Sequence, residues 1–353
     1  MYDRNDNFLA IGLYDADSPI RVRVVHRGKP TNVDREFWRV RLRESLSRRV
    51  GVTDPETNGV RWINGESDSF PGLVLDQYSD TLVLKLYSAV WFQRLDDLVS
   101  VIQEELRLSC LVLRLSRNIQ SAARTFSLED SATLVGNAPS GPVIFLESGL
   151  RFEADVLRGQ KTGFFLDQRE NRRQIGKLSR GKDVLNAFSF SGGFSVYAAC
   201  GGARSVTDVD ISAHALESSH RNFALNEAKL SGAKRNAIQA DVFDWIRTTP
   251  AEAYDVVILD PPSLAKREVE RERAVTAYRQ LAIAGLRLVR PGGVLLCCSC
   301  SAHVSSAEFF TAVEKAGEPS GRPIRVLETR REPPDHHASF PEAEYLKAIY
   351  LGL

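Results

Sequence analysis

The sequence predicts an α/β fold: a seven-stranded, mostly parallel sheet closed by an antiparallel strand pair, preceded by a small α+β region and a β-rich region. Three observations carry this. Beyond Gly163, short aliphatic runs alternate with helical patterns, the rhythm of a parallel sheet covered by helices on both faces. Before Leu150, several short alternating runs surround one or two amphipathic helices, a pattern of α+β type. At the C-terminus, "IRVLETRREP" and "EYLKAIYLGL" read as a closing strand pair at one sheet edge.

Taken in order, "IGLYDADSPIRVRVV" alternates Ile20, Val22 and Val24 with Arg21 and Arg23 and reads as strand. "DREFWRVRLRESLSRR" is helical. "RWINGESDSFPGLVLDQYSDTLVLKLYS" reads as strands joined by turns at "SFPG" and "YSD". "VWFQRLDDLVSVIQEEL" places Leu95, Leu98, Val101 and Ile102 on one helix face. Strands follow at "CLVLRLS", "ATLVG", "GPVIFLES" and "LRFEADVL". Then come a helix at "QRENRRQIGKLS", a strand at "DVLNAFSF", a helix at "GFSVYAACGG", a strand at "SVTDVDIS" and a helix at "AHALESSHRNFALN". "KRNAIQAD" (strand), "VFDWIRTT" (helix), "YDVVILDPP" (strand), a helix around Ala274–Val289 and "GGVLLCCSC" (strand) complete the alternation.

Composition excludes several classes. Of 353 residues, 43% are hydrophobic and 26% charged, the balance of a soluble globular protein. No apolar run has the ~20 residues that span a bilayer, and "MYDRNDNFLA" is not a signal peptide, so no membrane partner and a cytoplasmic address are expected. In that reducing setting the five cysteines are expected as thiols rather than disulfides. The net charge of +1 supplies no global field toward polyanions, so a nucleic-acid partner needs a local basic surface. One is suggested by Arg21, Arg23, Arg27, Lys29, Arg35, Arg39, Arg41, Arg43, Arg48 and Arg49, opposed within the run by Asp34, Glu36 and Glu44. It reads either as an RNA surface, with Trp38 stacking on a base, or as a solvated helix face over a core tryptophan.

In doubly wound sheets ligands sit beyond the carboxyl ends of the strands. The first such end, "VLNAFSFSGGFS", offers Gly192 and Gly193, where backbone can approach a ligand and start a helix. It is not G-x-G-x-x-G, which disfavours a nicotinamide enzyme. The second strand ends at Asp210, the interval at which an acid meets a ribose hydroxyl pair. The third ends at Asp241, an acid for an adenine amino group, with Val242 and Phe243 as an apolar wall. An adenosine-containing cofactor is implied. With no G-x-x-x-x-G-K-[ST], S-adenosylmethionine fits better than ATP. The fourth strand ends "LDPPS", where Pro261 and Pro262 stiffen the loop after Asp260. The fifth carries Cys297, Cys298 and Cys300 to the same rim. Cys297 and Cys298 face opposite ways; Cys298 and Cys300 share a face, and spacing does not separate them. C-C-S-C lacks zinc-ligand spacing, so no metal is expected.

"GQKTGFFLDQRENR" (Gly159–Arg172), "VLNAFSFSGGFSV", "VTDVDIS", "VILDPPS", "CSCS" and "FPEAEYLKA" together resemble the large-subunit ribosomal RNA cytosine-C5 methyltransferase family. "GLYDADSPIRVRV" and "GESDSFPGLVLDQYSD" resemble the family's PUA domain and linking α+β domain. The resemblance implies a PUA-like RNA-binding domain over residues 1–70 that lacks its first strands. It also implies a linking α+β domain over 71–149 and a Rossmann-like class I methyltransferase domain over 150–353. It implies S-adenosylmethionine as cofactor, with S-adenosylhomocysteine as product. The residues about it would be Gln160, Phe165, Asp167, Gln168, Asn186, Phe188, Ser191, Gly192, Asp210, Ile211, Asp241, Val242 and Asp260. Arg158, Lys161, Arg169, Arg172 and Arg173 would add phosphate contacts.

By the same resemblance Cys300 is the nucleophile and Asp260 hydrogen-bonds the base. Cytosine C5 does not accept a methyl group unaided, but a thiolate added at C6 makes it enamine-like. Neighbours should lower the thiol's pKa, His303 being one candidate. Ser263 stands where another RNA cytosine-C5 class has a second cysteine, which points to a one-cysteine route. The implied partner is 23S ribosomal RNA or a large-subunit assembly particle, with the target base single-stranded or flipped out; a homodimer is among the states the family adopts. The competing readings are methylation of another RNA atom, such as a guanine ring nitrogen, and a non-catalytic, cofactor-binding RNA assembly factor.

Overall fold

A computed structural model describes Met1–Leu353 and divides the chain into two units. The first takes in Met1–Gly149, Glu153–Leu166 and Pro334–Ser339; the second takes in Leu150–Phe152, Asp167–Pro333 and Phe340–Leu353. No helix is long and apolar enough to cross a membrane.

In the first unit, strands β1 (Ala10–Tyr14) and β2 (Val22–Arg27) form an antiparallel pair with a bulge at Ile11/Gly12. Helix α1 (Arg35–Ser47) starts where the Asp34 carboxylate accepts the Phe37 N–H, the usual role of an aspartate at a helix N-terminus. A five-stranded sheet follows, in the order β3 (Gly59–Asn64), β4 (Leu73–Tyr78), β5 (Thr81–Leu86), β6 (Cys110–Leu115) and β7 (Thr133–Val135). Strands β5 and β6 are parallel, joined across helix α2 (Leu95–Glu105). The crossover was hidden in the sequence because both strands are apolar on both faces. The sheet runs through the expected boundary at residue 70, since β3 and β4 are paired neighbours and Phe70 lies in the same core. A short helix α3 (Gln120–Ala123) and the hairpin β8 (Val143–Glu147) and β9 (Leu150–Ala154) complete this part of the chain.

Two readings left open by the sequence bear on RNA contact. Trp38 is 1% exposed and meets Phe37, Phe70 and Trp91 ring to ring; it is core and cannot stack on a base. The basic run is also largely neutralised. Arg35 pairs with Glu104, Arg39 with Glu36, Glu104 and Glu105, Arg41 with Glu44, and Arg43 with Glu105. Arg48 and the fully buried Arg49 both pair with Asp68. Glu36 and Glu44 oppose the run from within it, while Glu104 and Glu105 come from α2 and Asp68 from the turn after β3, distant in sequence and outside a local charge count.

In the second unit, helices and strands alternate as the sequence implied. They are α4 (Arg169–Leu178), β10 (Asp183–Ala187), α5 (Gly193–Cys200), β11 (Ser205–Asp210), α6 (Ala213–Ala224), β12 (Lys234–Gln239) and α7 (Val242–Thr248). After these come β13 (Tyr254–Leu259), α8 (Arg271–Leu288), β14 (Val289–Ser299), α9 (Ser306–Glu314), the short α10 (Gly317–Ser320), β15 (Arg325–Arg330) and β16 (Lys347–Gly352). The sheet order is β12-β11-β10-β13-β14-β16-β15. The first five strands are parallel, and β16 runs antiparallel to both its neighbours. Strand order reverses between β10 and β13, so the crevice that binds ligands in such sheets lies beyond the ends of those two strands. A single core of Leu185, Val209, Val257, Leu259, Leu286, Leu295 and Ile349, with their neighbours, fixes the strands.

Candidate active site

The loop after β10, "FSFSGG", is held in an unusual backbone. Phe188 and Phe190 have φ of 61° and 46°, in the left-handed region that non-glycine residues rarely enter. The conformation is over-determined by its surroundings. Ser189 N–H donates to Val209 O, Phe190 N–H to Asp210 Oδ2, and Asn222 Nδ2 to Ser191 O. Gly192 also has positive φ, and a Cβ there would lie 2.0 Å from Ser219 Oγ. The glycine therefore lets the loop seat on α6, and the close approach expected of a ligand is at this atom made by protein. Beneath the loop the Asp208 carboxylate, fully buried, accepts from Ser195 Oγ, Ser219 Oγ and Arg235; burial raises its pKa despite those donors.

Asn186 is buried and donates through Nδ2 to Ser195 Oγ at 2.9 Å. Its Oδ1 and the Ser189 Oγ, both buried, meet no hydrogen-bond partner within the protein. Buried polar atoms of this kind are normally satisfied by a ligand or a bound water. At the end of β11 and just beyond β12 lie two acids and two apolar side chains. Asp210 accepts the backbone N–H groups of Phe190 and Ser212, and Asp241 Oδ1 accepts those of Phe243 and Asp244 as it caps α7. Ile211 is 67% exposed and Phe243 41% exposed, and the Phe243 ring stands edge-on to Phe188 at 5.4 Å. Exposed apolar side chains beside carboxylates fit an adenosine, which needs a face to stack on and acceptors at its edges. Val242, expected beside Phe243 in that wall, is 2% exposed and belongs to the core. Of the two residues expected there, Phe243 is the one whose side chain stays exposed.

Of the other expected residues, Asp167 and Gln168 are buried in the second unit, where the Tyr345 hydroxyl donates to Asp167 Oδ2 at 2.8 Å. Gln160 (exposed) and Phe165 (half-buried, beneath the Lys161 ammonium) belong to the first unit. Arg169 and Arg172, expected to reach phosphates, are only 2% and 3% exposed. Their helix turns them inward, and they are not surface cations. Arg173 pairs with Glu170.

The three clustered cysteines separate cleanly. Cys297 and Cys298 lie within β14 and are 4% and 1% exposed, because helices or strands cover both faces of that strand. Burial pushes both thiols well above the ordinary range, and at Cys298 the Asp260 carboxylate adds to this. Cys300 lies one residue beyond the end of β14 and is half-buried. Asp260 lies one residue beyond the end of β13, the adjacent strand, and is also half-buried. The two loops are tied together by Ser301. Its Oγ lies 3.1 Å from Ser263 Oγ and 2.7 Å from the Tyr278 hydroxyl, and accepts the Leu264 and Ala265 N–H groups at 3.1 and 3.3 Å. Lys347 Nζ donates to Ser301 O and Val304 O at 2.7 Å each. The His303 side chain is 40% exposed, with Nδ1 3.3 Å from Glu268 Oε2, at the surface. Ser301, Tyr278 and Lys347 were not singled out from the sequence. The one available signal was Lys347, a cation in the apolar strand "LKAIYLGL". No group of side chains here could hold a metal ion.

The chain resembles known proteins over its whole length. A family model described as "S-adenosylmethionine-dependent methyltransferase" matches residues 120–351. The "Ribosomal RNA large subunit methyltransferase" of Deinococcus radiodurans is 55% identical over 360 residues, covering 100% of this chain and 88% of that protein. The "Ribosomal RNA large subunit methyltransferase I" of Aeromonas salmonicida is 35% identical, covering 99% of this chain and 89% of that protein. The crystal structure of SMU.776, a methyltransferase complexed with S-adenosylhomocysteine, shares the fold with a TM-score of 0.85 at 24% identity, over 100% of this chain and 90% of that one. With its sheet order, its loop after β10 and its matched residues, the chain belongs to the S-adenosylmethionine-dependent methyltransferase family that includes these large-subunit ribosomal RNA enzymes.

Proposed function

We propose that the protein methylates C5 of a cytosine in large-subunit ribosomal RNA, by way of a covalent bond between Cys300 and C6 of the base. The cofactor supplies a sulfonium-activated methyl group. Asp210 and Asp241 hold its ribose and adenine edges, Ile211 and Phe243 flank the ring, and the Phe188–Gly192 loop, with Asn186, Asp167 and Gln168, takes its amino-acid end.

In the reaction the Cys300 thiolate adds to C6, and the electron pair of the C5–C6 double bond moves toward C5. In this step Asp260 carries a proton and donates a hydrogen bond to the ring nitrogen where negative charge gathers. C5 then takes the methyl group. A base removes the C5 proton, the double bond reforms, and the C6–S bond breaks to return the thiolate. The rim loops fix the sulfur against the base, and orientation of this kind lowers the barrier to the addition.

The single supporting observation is the placement of Cys300: the one member of the cysteine cluster outside the sealed core, on the rim next to Asp260. The RNA class comes from the relatives, whose names specify large-subunit ribosomal RNA. Labelled cofactor incubated with large-subunit ribosomal RNA from cells lacking the protein should yield 5-methylcytosine at one position. Cys300→Ala should abolish it; unchanged turnover in that variant would exclude thiol addition and leave methylation at another RNA atom.

A further inference from the structure

Lys347 opens β16 opposite Ser299, the last residue of β14, and its side chain has no solvent exposure. A lysine in such a place keeps its charge only where acceptors and counter-charges meet it. The Nζ donates to the carbonyls of Ser301 and Val304, both in the turn that directly follows Cys300. Burial draws the Lys347 pKa down to about 8, while Glu332, an ionised Cys300, Glu344 and Glu308 act to raise it. Each of those acids has a further partner: Glu332 accepts the Tyr345 and Leu346 N–H groups, Glu344 pairs with Arg331, and Glu308 with Arg271 and the start of α9. Cys300 also faces Tyr278 and Cys298; burial raises the pKa of both and keeps them neutral, and Asp260 acts on Cys298. Lys347 is the cation of this set.

We propose that Lys347 is the positioning residue of the nucleophile: its buried ammonium fixes the turn after Cys300 and favours the Cys300 thiolate. The thiol proton passes to solvent, to which Cys300 is partly open, and Lys347 keeps its own. This rests on the reading of Cys300 as the nucleophile. It supplies the neighbour that the chemistry requires and that the sequence had suggested at His303.

The test reads the thiol itself. Iodoacetamide labelling of Cys300, followed by mass spectrometry of its peptide over about pH 6 to 10, gives the apparent thiol pKa. In the unaltered protein it should fall below the ~8.5 of a free cysteine. Lys347→Gln keeps a donor for the carbonyls but removes the charge. It should move the profile upward by about one unit, so that Cys300 labels roughly tenfold more slowly near neutral pH. A profile unmoved by Lys347→Gln overturns the proposal. So does an apparent pKa at or above ~8.5 in the unaltered protein, a measurement that needs no variant to fold. Neither depends on methyl transfer, so a failure here is separate from a failure of Cys300→Ala to stop turnover.

Discussion

The hydroxyls of Ser263 and Ser301 lie 3.1 Å apart, and through this contact the loop that carries Asp260 is tied to the turn that carries Cys300. Ser301 serves four neighbours at once, namely Ser263, Tyr278 and the N–H groups of Leu264 and Ala265. Ser301→Ala strands two backbone donors and removes one of the partners of the buried Tyr278 hydroxyl. The expected loss of stability is about 1–3 kcal/mol, visible as a lower Tm. Methyl transfer should fall further than stability explains, by about 10- to 100-fold at a temperature where the variant is folded, because sub-ångström placement of the two loops sets the reacting geometry. A variant with lower Tm and normal turnover would show that the tie is structural only.

The cysteines should respond in opposite ways. Cys298→Ala removes a buried sulfur and leaves a small cavity, so the Tm should drop by the equivalent of about 1–2 kcal/mol with methyl transfer retained. Cys300→Ala touches a half-buried position and should leave the Tm within experimental scatter, while turnover falls about a thousandfold or more. RNA carrying 5-fluorocytosine at the target adds a direct check. Its C5 fluorine cannot leave as a proton, so the adduct with unaltered protein should survive denaturing electrophoresis, and Cys300→Ala should give none.

The alternation of strand and helix beyond Gly163 was legible because each element shows its own hydrophobic period and the strand ends carry turn residues. The position of Asp210, Asp241 and Asp260 on one rim followed from topology alone. What was not legible depended on partners distant in sequence. Arg39 reads as a surface cation until α2 brings Glu104 and Glu105 against it. Arg169 and Arg172 look solvated in "QRENRRQ", yet the helix buries them. Val242 and Phe243 are neighbours with one hydropathy, and only the helix phase sends the first into the core and leaves the second outside. The difference in burial between Cys298 and Cys300 likewise depended on where β14 stops.

Asp183 gives a prediction for acid stability away from the site. Its carboxylate accepts from Arg204, Ser205 and Arg290 at the start of β10, and these hydrogen bonds, the Arg204 pair foremost, hold its pKa well below the usual carboxylate range. A folded-state pKa below the unfolded value of ~3.9 contributes stability that is fully present above ~3.9 and lost as pH falls further. Asp183→Asn should therefore destabilise the protein by about 1–2 kcal/mol at neutral pH, discounted because Arg204 is largely solvated. The difference from the unaltered protein should narrow steadily below about pH 4. Denaturation curves across that range check it, and methyl transfer at neutral pH should be unchanged. A gap that stays constant down to the lowest accessible pH would mean that packing, not charge, carries the effect.

Phe243 and Val242 separate cofactor affinity from folding. The Phe243 ring is 41% exposed beside Asp241, whereas Val242 is 2% exposed in the core. If the ring stacks on the adenine, Phe243→Ala removes a contact that alanine substitution typically values at about 1–3 kcal/mol. The dissociation constant for S-adenosylhomocysteine, measured by titration calorimetry, should then rise by roughly 5- to 150-fold. The Tm without ligand should barely move, since little buried area is lost. Val242→Ala should do the reverse, lowering the Tm by the equivalent of about 1–3 kcal/mol through a core cavity while the dissociation constant stays within about twofold. Equal affinities in Phe243→Ala and the unaltered protein would remove the ring from the adenine wall and leave Ile211 as its apolar face.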